Sequence, residues 1–276
     1  MKKIILFFLA AISISACKKG GTNATNRFMT ANYYVNDSFI GKTDYLYDDS
    51  SGLLKSEITR INGNQYVKHL YIYFSDSILV NQVIFNGTDS VHNLVTIFTT
   101  GNNRLINRIM TYSLEYLTVS SDRTYLYNSS NQMQQVNYFS GTQIFDFNYM
   151  VNSIANYKLL LPRFLPPYGN DTIQVSASYT VFRNQPGINN FILVTMFNLI
   201  SSEFQTMNLE LAGCTFNTSE NLLVQLNLTP GTLPGYVYDY TFDSKQRVST
   251  KMLDYSSPVE FPPNQLYRVE YIYPVE

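Results

Sequence analysis

The sequence predicts an all-β fold, an antiparallel meander of aromatic-rich hairpins. The chain of 276 residues contains 23 Tyr and 18 Phe, while charged residues make up only 14%. Aromatic residues favour pleated, half-buried surfaces. From about Asn32 onward, short runs in which aromatic and polar residues alternate are separated by polar turns, which is typical of antiparallel hairpins. Whether the meander forms a large twisted sheet, an open barrel or a sandwich is left open by this pattern.

One unit recurs along the chain, consisting of an aromatic strand end, a polar turn and a second apolar run. Its copies occupy 45–54, 97–106, 125–133 and 240–248. Asp or Asn after the aromatic residue can accept hydrogen bonds from the following backbone, and Gly or Asn tolerates a positive φ. The aromatic markers from Tyr47 to Phe147 are 20 to 29 residues apart, which fits one hairpin per unit.

These units resemble the tyrosine-aspartate (YD, or RHS-like) hairpins of exported bacterial proteins and, more broadly, the β-rich lipoproteins of unknown function in Gram-negative bacteria. The resemblance covers 45–160 and 238–273, and it implies hairpin geometry alone. The alternative interpretation is that any antiparallel sheet of aromatic strands produces such units.

Two regions depart from the hairpin pattern. Residues 151–161 are the best helical candidate, because prolines end the segment at Pro162 and beyond. Residues 162–235 contain further prolines between less aromatic runs, so they form a candidate distinct middle section, either a second sheet or an insertion. The segments 236–242 and 265–273 return to the hairpin style, so we expect the C-terminus to pair with the main sheet.

The N-terminal segment MKKIILFFLAAISISAC is typical of an export signal. Its uncharged run, Ile4 to Ser15, is shorter than the roughly 20 residues needed to span a bilayer, but it has the length of a signal-peptide core. The small residues before Cys17 resemble the lipobox of bacterial lipoproteins. The resemblance implies diacylglycerol on the Cys17 sulfur, cleavage just before it and acylation of the new amino group. The alternative is an ordinary secretory signal cut after Ser13 and Ser15.

The predicted organisation is therefore a signal peptide over 1–16, a lipid anchor and flexible tether over 17–31, and a β-rich domain over 32–276. Cleavage leaves 17 basic and 20 acidic residues, a net charge of −3 that does not attract nucleic acid. Lipoproteins retained at the inner membrane typically have aspartate after the lipidated cysteine, so Lys18 indicates the outer membrane, on either its periplasmic or its cell-surface side. Lipidation of Cys17 leaves Cys214 without an intramolecular disulfide partner, and we expect Cys214 to be a buried small hydrophobe.

The histidines do not suggest catalysis or metal binding. His69 and His92 are 23 residues apart, and neither has a second His or Cys at metal-ligand spacing. We predict that His69 is a strand residue facing solvent. Ser90 and His92 could share one face of a strand, but no Gly-x-Ser-x-Gly elbow is present. We therefore predict no catalytic residue, no metal site and no cofactor.

Two other segments imitate known sites. Residues 36–43 resemble the end of a phosphate-binding loop, but a strand-like run follows where a helix is needed. Asp44, Asp48 and Asp49 form the densest carboxylate group and are predicted to lie in a solvated turn, because the calcium-loop pattern Asp-x-Asp-x-Asp-Gly is absent.

The sequence thus predicts a non-enzymatic outer-membrane lipoprotein whose β-rich body is a structural or binding module of the cell envelope. Its expected partners are the lipid bilayer, through acylated Cys17, and the lipoprotein processing and sorting machinery. One alternative is a glycan- or peptide-binding accessory of an outer-membrane uptake system, with exposed aromatic rings as the binding surface. Another is a hydrolase with an unrecognised carboxylate site, which would need two converging buried carboxylates.

Overall fold

Strands account for the regular structure in the described part of the chain. The computed structural model describes residues 27–61, 65–101, 104–116, 118–138, 142–150, 153–160, 172–183, 185, 188, 210–214, 221–229, 235–256 and 265–274. These residues form sixteen strands: β1 (Thr30–Val35), β2 (Ser38–Tyr47), β3 (Leu54–Ile61), β4 (Gln65–Tyr73), β5 (Ser77–Asn86), β6 (Asp89–Thr100), β7 (Ile106–Ser113), β8 (Thr118–Tyr127), β9 (Met133–Tyr138), β10 (Thr142–Met150), β11 (Ser153–Leu160), β12 (Thr172–Arg183), β13 (Asn221–Thr229), β14 (Gly235–Phe242), β15 (Val248–Ser256) and β16 (Gln265–Ile272).

Each strand pairs antiparallel with the next along the chain, which confirms the predicted all-β meander. The order closes on itself into a barrel, because β1 also pairs with β16, from Thr30 opposite Ile272 to Val35 opposite Tyr267. The C-terminal strand therefore joins the main sheet, as expected. Among the described residues, the shortest ladder joins β13 to β14 through two pairs, Gln225 with Val237 and Leu226 with Tyr236.

The helical prediction for residues 151–161 is wrong, because this segment contains strand β11. Tyr157 and Leu159 alternate with Asn156 and Lys158 at the period of a strand. Ladders on both sides, to β10 and to β12, supply hydrogen-bond partners that a local sequence pattern does not reveal. Within the proposed middle section, β12 and β13 belong to the same sheet as the other strands.

The start of the barrel lies slightly earlier than the sequence pattern indicates. Strand β1 begins at Thr30, and Phe28 before it is buried, with 1% of its surface exposed. Phe28 packs edge-on against Tyr45, with ring centroids 5.1 Å apart, and against Tyr271 at 4.7 Å. Aromatic contacts therefore hold the first described residues against β2 and β16.

The two faces of the sheet differ in character. On β2, buried Thr43 and Tyr45 alternate with the partly exposed Lys42 and Asp44. We call the face with the buried side chains the inner face and the other the outer face. The buried hydrophobic residues of the inner face form one cluster that includes many tyrosines. Such rings bury a large apolar area.

The predicted aromatic-turn-apolar units are confirmed as hairpin turns. Asp48 Oδ1 accepts hydrogen bonds from the backbone N–H groups of Ser50 and Ser51, at 3.1 and 2.8 Å. Asn128 and Asp243 accept equivalent bonds in their own turns. A positive φ occurs two residues before each apolar strand start, at Gly52, Arg104, Asn131 and Gln246. The strand starts that follow are fully buried, namely Leu54, Ile106, Met133 and Val248.

Tyrosine hydroxyl groups connect successive turns at the same end of the barrel. Tyr73 Oη donates to the Leu54 carbonyl and Tyr127 Oη donates to the Ile106 carbonyl, both at 2.6 Å. Tyr47, Tyr240 and Tyr273 make corresponding bonds to Phe28, Leu223 and Val248. Tyr73, rather than the predicted marker Phe74, occupies this position in its unit.

Within the described residues, no helix is both long enough and apolar enough to cross a membrane.

Candidate functional site

The inner face carries a cluster of buried polar side chains on neighbouring strands. Glu57 on β3 lies opposite His69 on β4 in the strand register. Both side chains are almost fully removed from solvent, with 2% and 1% exposed. Buried ionisable groups are rare in protein interiors unless they are paired. This pair is therefore the leading candidate site in the described part of the chain.

Glu57 has two polar neighbours at the same oxygen. His69 Nδ1 lies 2.9 Å from Glu57 Oε1, and Tyr71 Oη donates a 3.0 Å hydrogen bond to that oxygen. The contact with His69 has the distance of an ion pair, but the ring N–H does not align with the oxygen as a hydrogen-bond donor. A second tyrosine, Tyr45, lies opposite Glu57 in the register. Burial raises the pKa of Tyr45 well above its usual value, and the neighbouring Tyr33 and Glu57 raise it further.

A chain of hydroxyl groups continues the cluster toward β1. Tyr33 Oη donates to Thr43 Oγ1 at 2.8 Å, and Thr43 Oγ1 lies 2.7 Å from Thr59 Oγ1. Thr43 and Thr59 are register partners on β2 and β3. Because both threonines are buried, this chain satisfies polar groups that would otherwise lack partners away from water.

Three atoms of the cluster lack a hydrogen-bond partner among the described residues, namely Glu57 Oε2 and both ring nitrogens of His69. An unsatisfied buried polar group costs about 1–3 kcal/mol. These atoms therefore remain available for hydrogen bonding, and the cluster contains a single carboxylate, that of Glu57. Among the residues whose side-chain burial is described, Glu57 is the only buried acidic residue. No three His, Cys, Asp or Glu residues of the described part are grouped as metal ligands.

The prediction that His69 faces solvent is wrong, because it lies on the inner face. In the segment 66–71, Val67, His69 and Tyr71 alternate with Tyr66, Lys68 and Leu70. All three inner residues are buried. The period-two pattern that places Val67 and Tyr71 in the core also contains His69, and this signal could have identified its burial.

The predicted cluster of carboxylates does not lie in one turn, because Asp44 belongs to strand β2 and Asp48 to the turn after it. Asp44 lies on the outer face of β2 and forms ion pairs with Lys42 at 3.1 Å and Arg60 at 2.7 Å. Asp48 lies in the exposed turn after β2, as predicted, where hydrogen bonds from the Ser50 hydroxyl and the Ser51 backbone hold its pKa below the usual range.

The other residues considered in the sequence analysis lie at separate places in the fold. Asn36 and Asp37 form the β1–β2 turn with φ values of 48° and 63°, and strand β2 follows, as the strand-like sequence indicated. Ser90 and His92 pair with β5 on the two sides of a register shift. Cys214 is buried, with 3% exposed, as predicted. Cys17 and Lys18 lie outside the described residues.

One aromatic group occupies the outer face. The Arg268 guanidinium lies 4.0 Å from the centre of the Tyr34 ring, and Tyr34 packs edge-on against Phe39 at 5.7 Å. Tyr34 Oη also donates to Glu270 Oε2 at 2.9 Å. Rings and charges of this kind can bind sugars or peptides.

Comparison with solved structures finds the same fold in a porin-like protein from Bacteroides uniformis. The two chains are 11% identical, with a TM-score of 0.59, and the match covers 91% of this chain and 98% of the other. A porin-like protein from Bacteroides vulgatus is 10% identical over 90% of this chain and 99% of its own, with a TM-score of 0.30. No protein-family model and no curated protein matches the chain. The chain therefore shares its fold with the first of these proteins.

Proposed function

We propose that the chain is an outer-membrane lipoprotein, anchored by acylated Cys17, whose β-barrel body is a structural or binding module of the bacterial cell envelope. The N-terminal segment carries this proposal, because a short apolar run followed by small residues and Cys17 has the pattern of a lipoprotein signal. The aromatic contacts of Phe28 support it, since they fix Phe28, which follows the proposed anchor by 11 residues, against the barrel.

The charged side chains of the outer face support attachment of the body to the membrane through the lipid on Cys17. Lys42 and Asp44 lie in the middle of β2 and pair on the outer face, where Asp44 also pairs with Arg60. Charged side chains at the middle of a strand are unfavourable against hydrocarbon. The outer surface of these strands is therefore suited to water, and the acyl chains on Cys17 would supply the attachment to the bilayer.

The likeness to the Bacteroides uniformis protein is compatible with a place in the envelope, since that protein is described as porin-like. A structural or binding role is preferred to hydrolysis. The hydrolase alternative needs two converging buried carboxylates, whereas Glu57 is the single buried carboxylate among the residues whose side-chain burial is described. We accordingly propose a body without enzymatic activity.

The anchor is tested by replacing Cys17→Ser and following both membrane fractionation and the mass of the mature N-terminus. We expect the variant to lose the acyl mass and to leave the membrane fraction. Cys214→Ala is the matched control, because it removes the other cysteine of the chain and should leave fractionation unchanged. A Cys17→Ser protein that is still processed at the same site and still fractionates with membranes would refute the anchor.

Binding of glycans or peptides is the second candidate function, and the outer-face group of Tyr34, Phe39 and Arg268 favours it. The test is a glycan and peptide array probed with the full chain in detergent. Binding that Arg268→Ala abolishes would support this role. An array without signal would leave the structural role.

A further inference from the structure

We infer that one rim of the barrel, the terminal rim, is the surface that rests on the lipid bilayer. The terminal rim consists of Arg27 to Met29, the end of β16 and the turns after β2, β4, β6, β8 and β14. The opposite rim carries the turns after β1, β5 and β7. This inference rests on the proposed anchor at Cys17, and it adds the orientation of the body and the kind of surface that the rim contacts.

The position of the first described residues restricts how the barrel can lie relative to the bilayer. Met29 N donates to the Ile272 carbonyl at 2.7 Å, and Tyr47 Oη donates to the Phe28 carbonyl at 3.0 Å. These bonds fix the first described residues at the terminal rim. Arg27 follows Cys17 by ten residues, which span at most about 36 Å when fully extended. An anchor at Cys17 therefore keeps the terminal rim close to the bilayer.

Among the residues whose side chains the structure describes, more exposed large apolar side chains lie near the terminal rim than near the opposite rim. Met29, Leu46 and Ile272 are exposed to 48%, 55% and 49%. They lie on three adjacent segments, because Met29 bonds to Ile272 on one side and to Tyr45, the residue before Leu46, on the other. The further exposed apolar residues near the terminal rim are Ile72, Phe74, Leu126, Val181 and Phe182, and those near the opposite rim are Phe39, Leu114, Tyr116, Val119 and Val237.

The side-chain chemistry of the terminal rim fits a lipid surface. Apolar side chains placed beside charged or polar groups are typical of surfaces that lie in the headgroup region of a bilayer. The exposed Lys245 supplies positive charge at this rim, and Asp48 and Asp243 supply negative charge in the turns. The inner side of the rim is closed by buried apolar residues, including Phe28 and Leu54. The partner is therefore a bilayer surface, contacted by the outer apolar side chains of the rim.

The test compares two positions on the same strand. Leu46 and Phe39 are exposed to similar degrees, 55% and 49%, near opposite ends of β2. Leu46→Cys and Phe39→Cys are each introduced into the full-length, lipidated protein carrying Cys214→Ala, and each is labelled with a polarity-sensitive fluorophore. The proteins are reconstituted in phosphatidylethanolamine and phosphatidylglycerol vesicles that contain brominated lipid. We expect bromine quenching severalfold stronger at position 46 than at position 39.

The possible results distinguish a failure of the proposed orientation from a failure of the proposed anchor. If both variants remain with the vesicles but quenching is equal at the two positions, or stronger at position 39, the orientation is wrong while the anchor stands. If the variants carry no acyl group and leave the vesicles, the proposed anchor fails and the orientation fails with it. Strong quenching at position 46 in vesicle-bound protein supports both.

Discussion

Strand β3 brings an acidic and a basic side chain into contact on each of its faces, and the two pairs differ in burial far more than in distance. On the outer face, Arg60 lies 2.7 Å from Asp44, with half of the Arg60 side chain and 36% of the Asp44 side chain exposed. On the inner face, Glu57 lies 2.9 Å from His69, with 2% and 1% exposed. Water screens the first pair and is excluded from the second.

Contact distance alone therefore does not predict how much each of these contacts contributes to stability. An exposed ion pair contributes about 0–1 kcal/mol to stability, because its Coulomb energy is screened and its side chains lose entropy. Removing one partner of a buried pair costs about 3–5 kcal/mol, because the other group remains without a counter-charge in a medium of low polarity. The residues of greatest energetic consequence should therefore lie on the inner face.

The largest expected effect is that of Glu57→Ala. We predict that it lowers the free energy of unfolding by about 3–5 kcal/mol, because His69 loses its carboxylate partner in the interior. The measurement is urea denaturation followed by circular dichroism. Asp44→Ala is the matched control, since it removes an exposed carboxylate from the outer face, and we expect a loss of at most about 1 kcal/mol. Equal losses in the two variants would contradict the comparison.

An intermediate effect is expected for Tyr71→Phe. This change removes the hydroxyl that donates to Glu57 Oε1 at 3.0 Å and leaves the ring in place. A hydrogen bond to a charged group contributes about 1.5–3 kcal/mol, and we predict a loss in that range by the same denaturation measurement. Tyr116→Phe, at a side chain with 68% exposure, should change stability by less than about 0.5 kcal/mol. If Tyr71→Phe loses no more stability than Tyr116→Phe, the hydrogen bond from Tyr71 to Glu57 does not stabilise the fold.

The smallest effect is expected at a second outer-face pair, Arg108 and Asp122. Arg108 donates two hydrogen bonds to the Asp122 carboxylate, at 3.0 and 2.8 Å. These bonds, together with the charge of Arg108, hold the pKa of Asp122 below its usual value. The stability they contribute is present above the pKa of the unfolded chain and is lost as the pH falls through the lower folded-state pKa.

We accordingly predict that Arg108→Ala causes a small loss of stability at neutral pH and that this loss shrinks in about 1 M salt. The difference between variant and parent should disappear at acid pH, where Asp122 is protonated in both states. Denaturation at several pH values measures it. A cost that is independent of both pH and salt would show that Arg108 acts through packing of its side-chain stem instead.

Local patterns in the sequence were sufficient for the hairpins, because turn chemistry involves neighbouring residues. Asp48, Asn128 and Asp243 bond to the backbone within four positions of themselves. The position with positive φ was harder to identify. Glycine occupies it at Gly52, but Arg104, Asn131 and Gln246 adopt the same conformation. Residue type alone therefore finds the turns more reliably than their exact backbone geometry.

The alternation of Val67, His69 and Tyr71 on one strand carries the signal for the burial of His69. The partner of His69 could not be predicted from that strand, because Glu57 lies opposite it on β3. The same reason explains strand β11, whose partners β10 and β12 supply the ladders that make it a strand.

The sequence by itself determined the all-β class, the antiparallel meander and the turns, because each depends on contacts between residues close in the chain. The tertiary structure decided how the meander ends. Pairing of β1 with β16 joins segments more than 230 residues apart, as the bond from Tyr34 to Glu270 illustrates with a separation of 236. That closure defines an interior, and the interior in turn places Glu57 and His69 out of reach of water.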